Sequence, residues 1–90
     1  MEVRFHKERR HVVLTVGEAV RLTRELQELT QAELARLTGI SQPTLSGIER
    51  GRVSLGVDRA KTLARALGVH PAVLLFPDWE QSPPRRRRAA

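Results

Sequence analysis

Residues 31–51 read QAELARLTGISQPTLSGIERG, and the order of residue types in this stretch decides the fold. Thr30 and Glu33 have the spacing of a capping box, in which a hydroxyl and a carboxylate each satisfy a free N–H at a helix start. A helix over 31–38 is predicted, with Gly39 as its stop, because glycine accepts the positive φ that the turn requires. Ser41 is placed to cap the next helix. Pro43 falls in its first turn, where a missing N–H costs nothing. Gly51 ends that helix. Leu34, Ile40, Leu45 and Ile48 recur at offsets that pin both helices to one core. Ala35 is small enough for the second helix to cross the first closely. The stretch is thus two short helices joined by a four-residue turn over 39–42. The second helix projects Gln42, Pro43, Thr44, Ser46 and Gly47 outward.

Working outward, Thr15 and Glu18 form another capping box, and Ala19, Leu22, Leu26 and Leu29 trace one apolar face of a preceding helix. Downstream, a helix starts near Val57 with Gly56 as a weaker cap. Ala60, Leu63, Ala64 and Leu67 line its buried face, and Gly68 stops it. Pro71 opens a short fifth helix through about residue 75, and Pro77 breaks the chain. At the N-terminus, Met1, Val3 and Phe5 alternate with Glu2, Arg4 and His6, and residues 11–16 (HVVLTV) are rich in β-branched side chains. That pattern reads as a short strand or a hairpin. A lone hairpin is barely stable in water, so it needs the domain, a dimer mate or another protein to pair with. Pro83 and Pro84 followed by four arginines read as a disordered tail. The expected organisation is an N-terminal arm over 1–15, a mainly α, five-helix domain over 16–79 and a basic tail over 80–90.

With 90 residues and 40% hydrophobic content, the chain suits one small domain, and a core of this size gains from dimerisation. Aromatic residues make up 3% and Tyr is absent, which argues against stacking of splayed bases. There is no Cys, which excludes disulfides and thiolate-ligated metals and fits an intracellular protein. Residues 1–10 lack the pattern of a signal segment, and no apolar run is long enough to span a bilayer, so a cytoplasmic location away from any membrane is expected. The formal charge is +6, and it sits in the arms: residues 16–79 carry eight Lys and Arg against seven Asp and Glu. Basic arms favour a polyanion such as nucleic acid. His6, His11 and His70 have no metal-ligand spacing, Glu25 and Glu28 read as a solvated face, and residues 51–56 lack a phosphate-loop pattern. No enzyme activity, metal or cofactor is expected.

The chain resembles the xenobiotic-response-element type, phage-repressor-like helix-turn-helix regulators. Gln31-Ala32-Glu33-Leu34-Ala35, Gly39-Ile40-Ser41, Leu45-Ser46, Ile48-Glu49 and Ala66-Leu67-Gly68-Val69 carry the resemblance, which covers about residues 16–76. It implies a five-helix, phage-repressor-like bundle that binds double-stranded operator DNA as a dimer and represses transcription. By the same resemblance, Gln31 contacts phosphate at a helix N-terminus. Gln42 is the base reader, since Gln bonds adenine N6 and N7 bidentately. Thr44 and Ser46 contact backbone or bases, Ser41 is a cap first and adds a phosphate contact, and Arg50 and Arg52 clamp phosphates. Gly47 departs from the family's longer polar side chain, and Pro43 offers no hydrogen bond. Thymine methyl contacts or DNA shape then carry more of the specificity. Glu49 reads as structural, paired to an Arg.

Several forms of regulator remain open. One is a stand-alone, autoregulating repressor. A second is the antitoxin of a toxin–antitoxin module of the HigA type, which also sequesters a small RNase toxin; residues 70–79 (HPAVLLFPDW) and the N-terminal strand, suited to β-augmentation, are its cues. A third is a protein-interaction module without specific DNA binding, against which Gln31, Gln42, Arg50 and Arg52 argue. Val73, Leu74, Leu75, Phe76 and Trp79 exceed what so small a bundle buries and mark the expected homodimer surface. The competing reading has Phe76 and Trp79 closing the core. In a dimer, recognition helices about 34 Å apart match a near-palindromic operator.

Overall fold

Local capping chemistry sets the helix starts. The computed structural model describes residues 14–78, and its elements are α1 (Val16–Leu26), α2 (Gln31–Thr38), α3 (Gln42–Glu49), α4 (Gly56–Leu67) and α5 (Pro71–Leu75). Thr15 and Thr30 each complete a capping box, with Glu18 and Glu33 returning a bond to the cap N–H at 2.9 and 2.8 Å. Ser41 Oγ accepts from the Thr44 N–H at 3.2 Å, and Pro43 occupies the first turn of α3. Gly39 closes α2 with φ +76°, a conformation that lets the chain reverse into α3 without a Cβ clash. At α4 the mechanism differs from the expected glycine cap. The helix opens at Gly56 itself, and the preceding Leu55 makes no side-chain cap bond. That end is held by the buried Leu55 and by Arg59, which donates to the Ser54 carbonyl at 3.1 Å.

Packing joins α1 to α3 and α5, α2 to α3 and α4, and α4 to α5. The core is Val20, Leu34, Leu45, Ile48, Leu55, Ala60, Leu63, Ala64, Leu67 and Leu74, with Leu29, Ile40, Val53 and Leu75 packed against it. The expected inward faces of α2, α3 and α4 are therefore observed. The expected face of α1 is observed only in part: Ala19 is buried and Leu29 packs on the core, but Leu22 and Leu26 are 44% and 76% exposed. The buried residues of α1 are Gly17, Ala19, Val20 and Arg24. The physical reason lies in α3. A Cβ on Gly17 would stand 2.4 Å from the Ile48 carbonyl oxygen and 2.6 Å from that of Glu49, so only glycine permits this approach. Arg24 turns the same way to meet Glu49.

Among the described residues every element is a helix, and none is long and apolar enough to cross a membrane. The strand or hairpin expected over 1–15 lies outside the described residues except for Leu14 and Thr15, of which Thr15 is the cap of α1. Trp79 and the tail over 80–90 also lie outside them.

Candidate nucleic-acid interface

Side chains on a helix advance by about 100° per residue, so an eight-residue helix with one buried side shows a fixed set of residues on the other. In α3, Leu45, Ile48 and Glu49 are buried. Gln42 and Pro43 stand exposed in the first turn, with Thr44 and Ser46 half-buried beside them. The Ser41 hydroxyl also donates to Thr44 Oγ1 at 2.8 Å, which ties both hydroxyls to the cap. The turn after α3 brings Arg50 and Arg52 to the surface. Among the described residues neither has an acidic partner within ion-pair distance. Both cations remain available to an external anion.

Gly47, read from the sequence as projecting outward, does so only in part. A Cβ there would lie 2.7 Å from Val53 Cγ2, and the Gly47 carbonyl accepts from the Arg52 and Val53 N–H groups at 2.8 and 3.1 Å. The missing side chain is the space into which the loop after α3 folds. Gln31 is half-buried rather than free. Its Nε2 donates to Glu49 Oε1 at 3.0 Å. Glu49 is buried and accepts twice from Arg24, Nε at 2.7 Å and Nη2 at 3.0 Å. Its pairing with an Arg is as the sequence suggested. Arg24 also donates through Nη1 to the Leu29 carbonyl at 2.8 Å. The bond to Glu49 holds the Arg24 guanidinium's pKa above its ordinary value, against the opposing effect of burial. The residues missed by sequence reading are Arg24, Gly17 and Val53. An arginine inside an otherwise amphipathic helix is the one signal that pointed to the first of them.

The expected dimer surface divides. Leu74 is fully buried and Leu75 packs on the core, because α5 must seal the open side of α4. Leu74 is thereby removed from the expected surface, while Leu75 stays half-buried. Val73 and Phe76 stay 46% and 57% exposed, so Phe76 does not close the core. His70, weighed as a metal ligand from the sequence, caps α5: its Nδ1 accepts from the Ala72 N–H at 3.0 Å. Among the described residues no His, Asp or Glu cluster is placed to hold a metal ion.

The family model described as "Helix-turn-helix" matches residues 20–74. The chain is similar to an "Uncharacterized transcriptional regulator in ATPase CF(0) region" of Rhodospirillum rubrum, 39% identical over 75 residues that cover 83% of this chain and 68% of the relative. It is also similar to the "Immunity repressor protein" of Bacillus phage phi105, 31% identical over 62 residues; these span 69% of this chain but only 43% of that protein. Among solved structures, the P22 c2 repressor in complex with a synthetic operator superimposes with a TM-score of 0.67 and 29% identity, covering 72% of this chain and 98% of the other.

Proposed function

We infer, on the premise that this chain belongs to the helix-turn-helix family and is a DNA-binding transcriptional repressor, that it binds a near-palindromic operator as a homodimer in the cytoplasm and represses its own promoter. The observation that carries this reading is the first turn of α3. Gln42 and Pro43 are exposed there on a helix whose other side is locked into the core. A rigidly held helix N-terminus of that shape enters a major groove, where the Gln42 amide pairs with adenine N6 and N7. Arg50 and Arg52, without an ion-pair partner among the described residues, flank it with positive charge suited to phosphates. Ser41, Thr44 and Ser46 lie near enough to add backbone contacts. Pro43 and Gly47 contribute shape rather than hydrogen bonds, which shifts part of the specificity to DNA form.

The test is fluorescence anisotropy with the protein's own upstream promoter DNA and random DNA of equal length, across a salt series. Tight binding with a large promoter-to-random ratio is expected. Gln42→Ala should weaken promoter binding by about 1–3 kcal/mol and leave random DNA alone, whereas Arg52→Ala should weaken both and reduce the salt slope by about 1. Equal, weak and steeply salt-dependent binding to both duplexes would overturn the reading and leave a protein partner as the target.

A further inference from the structure

The buried pair Arg24–Glu49 carries more than a link between helices. Glu49 sits on the last residue of α3 and its carboxylate is almost wholly buried, yet it spends one oxygen on a residue that reaches the surface. Oε1 accepts from Arg24 Nη2 at 3.0 Å and from Gln31 Nε2 at 3.0 Å, while Oε2 takes Arg24 Nε at 2.7 Å. A carboxylate only accepts, so it holds the NH2 side of the Gln31 amide and repels its oxygen. The amide therefore has one allowed flip. A free glutamine on a surface has two, and several rotamers besides. Arg24 holds the approach to the same end of α2: its bond to the Leu29 carbonyl anchors the turn that leads into the helix, where Glu28 takes a φ of +60°.

We propose that Glu49, held by Arg24, is a positioning residue for DNA binding: it orients the Gln31 side-chain amide so that its second Nε2–H is presented to a backbone phosphate. This rests on the reading of Gln31 as a phosphate contact. One Nε2–H is consumed inside the protein, and the other is left at the first residue of α2, beside free backbone N–H groups of the same helix start. The conformational cost of ordering the amide is met on folding and not on binding. The ion pair contributes no charge to the DNA surface, because its two charges cancel and are buried. Its effect on DNA is transmitted through Gln31.

The experiment is a double-mutant cycle on the full chain, with Gln31→Ala, Glu49→Gln and both together, titrated against the promoter and random duplexes at fixed salt. Glu49→Gln keeps the shape of the buried group but lets either end of the Gln31 amide face it. Gln31→Ala is expected to weaken both duplexes by about tenfold, as for one hydrogen bond to a charged group. Glu49→Gln should reproduce most of that loss alone and less than about twofold in the Gln31→Ala background. The side-chain amide resonances of Gln31 should be sharp and well separated in the wild type and collapse towards free-glutamine positions in Glu49→Gln. If Glu49→Gln unfolds the protein, Arg24→Met with Glu49→Leu is the second variant, since a buried ion pair is often replaced by apolar residues without loss of stability. Equal losses from the Glu49 change with and without the Gln31 side chain would overturn the proposal. If Gln31→Ala leaves affinity unchanged while the resonances still collapse in Glu49→Gln, the phosphate reading of Gln31 fails, and with it the proposal.

Discussion

Gly17 shows how much one hydrogen atom in place of a methyl decides. Its Cα lies against the carbonyl oxygens of Ile48 and Glu49, the two residues that end α3. Backbone atoms cannot yield as a flexible side chain does, so a Cβ there pushes α1 and α3 apart. Gly17→Ala should therefore destabilise the fold by about 1–3 kcal/mol, despite the better helix propensity of Ala, with the midpoint of urea unfolding as the measure. A neutral or stabilising change would show that the crossing is loose. The same separation stretches the Arg24–Glu49 pair, which depends on the same approach. Gly47 is the contrasting case: its neighbour is the Val53 side chain and not a backbone carbonyl.

At the scale of elements, the N-terminus of α2 combines a structural cap with the proposed phosphate contact. The Thr30 backbone N–H, with help from the Thr30 side chain, holds the Glu33 carboxyl below the usual carboxylate range. A group whose pKa is lowered by folding adds stability that is fully present above its unfolded value, and this is lost as pH falls through the folded value. The melting temperature should thus fall as pH drops below the ordinary Glu range. Glu33→Gln should be less stable than wild type at neutral pH, and the gap should narrow in acid. A gap that stays constant with pH would mean the carboxylate's charge plays no part. The extent of α2 is legible from residues 30–39 alone, because its signals are local: a threonine, a glutamate three residues on and a glycine. The face of α1 is only half legible: Ala19 and Leu29 turn inward as expected, Leu22 and Leu26 do not. Gly17 and Arg24 score as non-apolar, and they point inward only because α3 is there to receive them.

For the whole molecule, the question is what covers α5. It is short, packs on α4 and α1, and gives Leu74 to the core while leaving Val73 and Phe76 outside. In the proposed homodimer these two side chains meet their counterparts across the twofold axis. Val73→Glu combined with Phe76→Glu should give a monomer in sedimentation equilibrium without lowering the melting temperature of the isolated fold. The same variant should bind a single half-site as wild type does and lose the tighter binding to two half-sites spaced one helical turn apart. A variant that remains dimeric would place the contact on another face.

The sequence by itself determined the starts of α1, α2, α3 and α5, the turn between α2 and α3 and the inward positions of α2, α3 and α4. Each of these depends on residues within a few positions of one another, through caps, glycine turns and helical periodicity. It also marked Gln31, Gln42, Arg50 and Arg52 as candidates. Only the tertiary structure decided which way α1 faces, that Val53 fills the space over Gly47, that Leu74 belongs to the core, and that Gln31 is joined through Glu49 to Arg24. Arg24 and Glu49 are 25 residues apart. No local pattern encodes their pairing, because it exists only once α1 and α3 have packed and the surrounding core has excluded water from the charges they must neutralise.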